Sequence, residues 1–226
     1  MTAPSAVSPG AATALLGQAS FTVTARPASV QSPAPVYLAT QIQDAYNNTG
    51  ISDDSDTTAA NFDGKGDSYS AQALAAAGLT PGGSVSHDGI TFTWPDVAAG
   101  QPDNVLAGGQ TILVSGSGST LGVLGSASIG KGIVLGKVFY TDGSSAPFAL
   151  SLDYFRALPD PENDTIATAK YFNRTSGRFS RDAYVFYAGV PIDAGKSVRA
   201  VALLSGGLTG ATGKIRGAHI FAIGVG

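Results

Sequence analysis

Tyr171-Phe172-Asn173-Arg174-Thr175-Ser176-Gly177-Arg178 places two aromatic rings, an amide and two guanidinium groups within eight residues. A sugar ring has an apolar face and a rim of hydroxyls, so an aromatic that stacks and planar polar groups that exchange hydrogen bonds suit it chemically. On that chemistry Tyr171, Asn173, Arg174 and Arg178 are the candidate carbohydrate contacts. The competing reading of the same stretch is a polar hairpin loop anchored in the core by Tyr171 or Phe172. Trp94 is the other obvious platform, but strand parity puts it on the side of Ile90 and Phe92, pointing inward.

A second concentration of chemistry is acidic. Asp53, Asp54, Asp56, Asp63 and Asp67 fall within 15 residues amid Gly and Ser. Calcium takes about six to eight oxygens from carboxylates, backbone carbonyls and water on a flexible loop. These five are therefore candidate ligands for a structural calcium, the one cofactor these residue types could hold. Their spacing is not that of an EF-hand, because Thr58 and Ala59 stand where that loop needs a ligand and a glycine. The competing reading is a solvated acidic turn in which each Asp caps nearby backbone.

Catalytic constellations are scarce. There are 2 His and no Cys, and no G-x-S-x-G elbow, H-E-x-x-H or glycine-rich phosphate loop is present. His87 falls in an expected hairpin turn and His219 opens the last expected strand. The only Glu, Glu162, sits in a proline-rich stretch that reads as an exposed loop. An Asp pair acting across a glycosidic bond remains as the least favoured reading, and the expectation is a protein that is not an enzyme.

The chain that must position these groups has 226 residues, 13% charged and 43% hydrophobic, with net charge -3. That is too apolar for disorder and offers no cationic field, so nucleic acid is not an expected partner. No apolar run approaches the roughly 18 residues of a membrane span, so no membrane insertion is expected. The N-terminal residues lack the cationic segment and long apolar run of an export signal. Sparse charge and abundant Ser, Thr, Gly and Asn nevertheless suit an extracellular protein, secreted or on the cell surface, whose signal is no longer present.

Residues 1–35 are Ala, Ser and Pro rich and read as a linker, with Ser20 to Thr24 alternating as a short strand that would be the last strand of an upstream domain or an added edge. From Val36 to Gly226 short β-like runs recur between Gly, Pro, Asp and Asn turns. They include Ile90–Trp94, Thr111–Val114, Ile133–Tyr140, Phe148–Phe155, Tyr184–Val190, Val198–Leu204 and His219–Val225. Ser70–Ala77, closed by Gly78, is the single helical stretch. This pattern predicts an all-β fold, an antiparallel β-sandwich or barrel with one short helix, over residues 36–226.

An ordered series of motifs sharpens the expectation. Asn61-Phe-Asp-Gly-Lys-Gly-Asp-Ser-Tyr-Ser-Ala-Gln-Ala-Leu-Ala-Ala-Ala-Gly78 is preceded by Ala45 to Asp54 and followed by Gly89-Ile-Thr-Phe-Thr-Trp-Pro95. Gln101-Pro-Asp-Asn-Val105, Leu121 to Ala127, Tyr140-Thr-Asp-Gly143 and His219-Ile-Phe-Ala-Ile223 continue it. This series resembles a β-sandwich module of exported actinobacterial glycoside hydrolases, one that often follows an NPCBM-associated (NEW3) domain. The resemblance implies a jelly-roll, galactose-binding-like sandwich that binds a glycan or polysaccharide without catalysis. The alternative from a different class is a structural or adhesive cell-surface module with a protein partner, marked by an exposed apolar patch.

Overall fold

The computed structural model describes residues 39–156, 163–205, 207–209 and 215–226. The expected linker and edge strand within residues 1–35, and the loop carrying Glu162, lie outside the described residues. The chain divides after Val36, and every element below belongs to the unit Tyr37–Gly226.

In chain order the strands begin with β1 (Ile51–Ser52) and β2 (Ser68–Ser70), followed by the one helix, α1 (Ala71–Ala76). Then come β3 (Ser84–His87), β4 (Ile90–Thr93), β5 (Val105–Leu106), β6 (Gln110–Ser117), β7 (Thr120–Ala127), β8 (Gly132–Tyr140) and β9 (Ser145–Leu152). The remainder are β10 (Asp164–Ala169), β11 (Phe172–Arg174), β12 (Gly177–Phe179), β13 (Ala183–Pro191), β14 (Ser197–Ser205), β15 (Gly207–Thr209) and β16 (Ile215–Val225). The all-β expectation holds. The helix starts after Ser70, whose Oγ accepts from Ala73 N at 3.1 Å, and stops where its sequence foretold, at Gly78 with φ +94.

Two sheets make the sandwich. One runs β6-β14-β8-β9, and the other β10-β13-β7-β16-β15 with β5 also on β16. Between them Ile112, Val134, Val138, Val201 and Leu203 meet Leu121, Val123, Phe186 and Ile220 in one buried cluster. Alternating strands such as β8, whose even positions from Gly132 to Tyr140 are buried, supply one side of that core.

The second sheet is covered on its outer face as well. The β3–β4 hairpin sets Ile90 and Phe92 on Leu124, Tyr187 and Ala222. A small sheet, β1-β2-β11-β12, and α1 bring Phe62, Tyr69, Leu74 and Phe172 onto Val185 and Phe221. This is why β7 is buried along nearly its whole length: a strand roofed on both faces shows no alternation. Gly122 makes the close approach possible, since a Cβ there would lie 2.7 Å from Ile90 Cδ1.

Trp94 is buried, 2% exposed, as its parity with Ile90 and Phe92 required, while Thr91 and Thr93 point to solvent. The hairpin turns on Asp88 and Gly89, with φ of 49 and 74, the paired positive values of a tight two-residue turn.

Candidate functional site

The small sheet brings the two sequence-predicted clusters together. In β11, Asn173 pairs with Ser68 of β2 on one side and Arg178 of β12 on the other. Asp54, just past β1, gathers side chains from β2, β11 and β12 and from Tyr171. Ser70 Oγ donates to its Oδ1 at 2.6 Å and Asn173 Nδ2 at 3.1 Å, while Tyr171 Oη donates to Oδ2 at 2.7 Å. Arg178 Nη2 completes the set at 2.6 Å from Oδ2, its guanidinium over the Tyr171 ring at 4.9 Å. Burial pushes the Asp54 carboxyl up, but these hydrogen bonds and the Arg178 charge together hold it below the ordinary carboxylate range.

Asp67 is paired in the same way. Arg156 Nη1 and Arg174 Nε both ion-pair with it, the latter at 3.3 Å, and Arg156 also reaches Asp63 at 3.8 Å. Arg174 lies over the Phe179 ring at 3.5 Å. Burial and the neighbouring Asp63 charge raise the Asp67 carboxyl, against the lowering effect of both arginines.

Of the proposed sugar contacts, Asn173 is fully buried, 0% exposed, with its Nδ2 donating to Asp54 and to Ser52 Oγ at 3.0 Å. A buried amide does not meet a ligand, so Asn173 is withdrawn from the contact set. Tyr171, Arg174 and Arg178 are engaged with Asp54, Asp67 and the rings of the small sheet, which makes this region a hairpin held by charge.

The proposed calcium ligands do not converge. Asp53 caps Ser55 at 2.8 Å, Asp56 caps Thr58 at 3.2 Å and Asp63 caps Lys65 at 2.8 Å, each through its own turn. Among the described residues no three His, Cys, Asp or Glu side chains form a group able to hold a metal ion.

A buried polar chain, not anticipated from sequence, ties the loops behind the small sheet. Asp103 accepts from Gly50 N at 3.0 Å and Ile51 N at 2.8 Å and from Asn104 Nδ2 at 2.7 Å. Asn104 Oδ1 lies 2.7 Å from His219 Nδ1. Burial pushes Asp103 up to about 7 and His219 down to about 3. The cavity beside Asp103 is about 30 Å³, room for little more than water.

The open site lies elsewhere. Beyond Ile220 the edge of β16 away from β7 has no strand partner among the described residues, because β5 covers only His219 and Ile220. A bulge falls between Ile220 and Ala222, and Tyr46 Oη donates to the freed Phe221 carbonyl at 3.1 Å. Along this edge runs a groove of about 530 Å³. Its floor is Ala222 to Val225 with Leu113, and its walls present Gln41, Gln43, Thr91, Thr93, Ser115 and Asp96. Among the described residues no Lys, Arg or His lines it. The outward parity of Thr91 and Thr93 was legible in sequence; the approach of residues 41–46 was not, since it depends on Thr40 bridging Ile112 of β6.

A further depression of about 360 Å³ is lined by two carboxylates, Asp88 and Asp164. Each is already engaged: Tyr187 Oη donates to Asp88 at 3.3 Å, and His87 Nε2 lies 3.0 Å from Asp164.

Residues 33–156 match the model of the AziU2-like β-sandwich domain. The chain belongs to that family. The matched stretch includes residues 41–46, Thr91, Thr93, Asp96 and Leu113 to Ser115 of the groove, whereas the Tyr171–Arg178 hairpin and β16 fall outside it. The family supports a β-sandwich module. No curated protein matches the chain.

Proposed function

We propose that this chain is a noncatalytic, exported β-sandwich module that binds glycans in the groove beside the free edge of β16. The observation that carries the reading is the groove's chemistry: an apolar floor under walls of hydroxyl and amide groups, with no cation among the described residues. Its volume of about 530 Å³ falls in the range of small-molecule sites. A ring laid on Ile223 and Leu113 would exchange hydrogen bonds with Gln41, Gln43, Thr91, Thr93 and Ser115. The resemblance to modules of exported glycoside hydrolases agrees with this assignment. Binding of this kind localises a protein on its polymer, at millimolar to micromolar affinity, about 4–8 kcal/mol.

Affinity electrophoresis through gels containing soluble polysaccharides tests the reading. Retardation in at least one gel, relieved by free oligosaccharide, is expected. Equal mobility of folded protein in every gel would contradict it.

One observation favours a second reading. Leu113, Ile133, Leu135 and Leu204 are 44%, 61%, 50% and 47% exposed on the sheet β6-β14-β8-β9. Exposed apolar residues on one sheet suit adhesion to a protein partner. Attachment to a surface protein that is lost on Ile133→Lys, from a chain that no glycan retains, would favour it.

A further inference from the structure

Asp96 stands apart from the other aspartates. Among the described residues every other Asp side chain has an internal partner, from Ser55 and Gln72 on Asp53 to Lys196 on Asp142 and Asp193. Asp96 has neither a hydrogen bond nor an ion pair, is exposed and lines the groove, in which it is the only charged side chain among the described residues.

Its position is fixed by its neighbours. Trp94 and Pro95 before it are buried, Trp94 N donates to Gly83 O at 2.8 Å and Gly82 N to Pro95 O at 3.4 Å. A Cβ at Gly82 would sit 3.2 Å from the Asp96 Cγ, so glycine there leaves the carboxylate its room. The result is an unpaired negative charge held at the rim of a site whose other polar groups are neutral.

Building on the glycan reading above, we infer that the groove selects glycans carrying a free, protonated amine and turns away uronates and other acidic glycans. The ammonium of a deacetylated amino sugar offers three donors to a carboxylate that has none. A uronate brings a second negative charge to a groove without a cation to receive it, which is a repulsive element of specificity. Because the pair forms at an open rim, the preference is a modest one, roughly three- to tenfold in affinity, and added salt weakens it.

The test is a glycan array carrying neutral, amine-bearing and acidic oligosaccharides, probed with the wild-type protein and with Asp96→Asn at low and high salt. Thermal unfolding serves as the folding control. Preferential retention on amine-bearing glycans, lost selectively in Asp96→Asn and reduced by salt, is the expected result. Equal binding of amine-bearing and neutral glycans, a preference for acidic ones, or an unchanged preference in Asp96→Asn would overturn the inference and leave the glycan reading standing. Failure of the wild-type protein to retain any glycan would overturn both.

Discussion

Arg178 sets its Nη2 2.6 Å from Oδ2 of Asp54, and that contact joins a residue whose type suits sugar to one whose type suits calcium. The two ends are unequal. Asp54 has 8% of its side chain exposed and Arg178 has 59%, and Asp54 also serves Ser70, Tyr171 and Asn173. Asp54→Ala, which strands these donors, is expected to cost about 2–4 kcal/mol. Arg178→Ala is expected to cost less than about 1 kcal/mol. Urea unfolding at matched slope checks this, and equal costs for the two variants would contradict it.

Calcium and EDTA are both expected to leave the thermal midpoint unchanged. A ligand that binds only the folded state raises the midpoint by mass action, but Asp54, Asp63 and Asp67 already face Arg178, Arg156 and Arg174. A midpoint that rises with calcium and falls with EDTA would return these carboxylates to a metal role.

The buried chain from Asp103 to His219 makes a prediction about pH with two opposed signs. Asp103, pushed up to about 7 by burial, holds its proton more tightly folded than unfolded. Its contribution is complete below about pH 4, the unfolded carboxylate value, and is lost as pH rises through about 7. His219, pushed down to about 3, stays neutral when folded, so its contribution is present above about pH 6.5 and is lost as pH falls toward 3. Where the windows overlap the two slopes offset one another. Asp103→Asn is therefore expected to fall furthest below the wild type in midpoint near pH 4, with the gap narrowing as pH rises from there to about 7 and level above it. A gap that widens with rising pH would reverse the assignment.

The sandwich was legible because its alternating strands are half-buried. Ile90 to Thr93 and the run from Ile133 to Tyr140 carry their core side in every second residue, and α1 announces itself through Ser70 and Gly78. The run from Leu121 to Ala127 concealed a central strand, since a strand covered by both the opposite sheet and the β3–β4 hairpin has no polar face to alternate. The site was less legible still. Tyr171, Asn173, Arg174 and Arg178 have the composition of a receptor, but sequence does not reveal that β11 lies beside β2 and so brings Asp54 and Asp67 to neutralise them. The groove is assembled from residues 41–46, β4, β6 and β16, segments separated along the chain whose meeting depends on tertiary packing alone. Only the outward side of Thr91 and Thr93 could be read in advance.

The most direct measurement compares glycan affinity in the wild type, Thr93→Trp and Arg178→Ala by isothermal titration with the best-retained oligosaccharide. Thr93 is exposed on the groove wall, so an indole there fills the site without disturbing the core. Thr93→Trp is expected to weaken binding by at least about tenfold, about 1.4 kcal/mol, while Arg178→Ala binds as the wild type does. Loss of affinity in Arg178→Ala with full binding by Thr93→Trp would move the site to the small sheet and contradict the groove assignment.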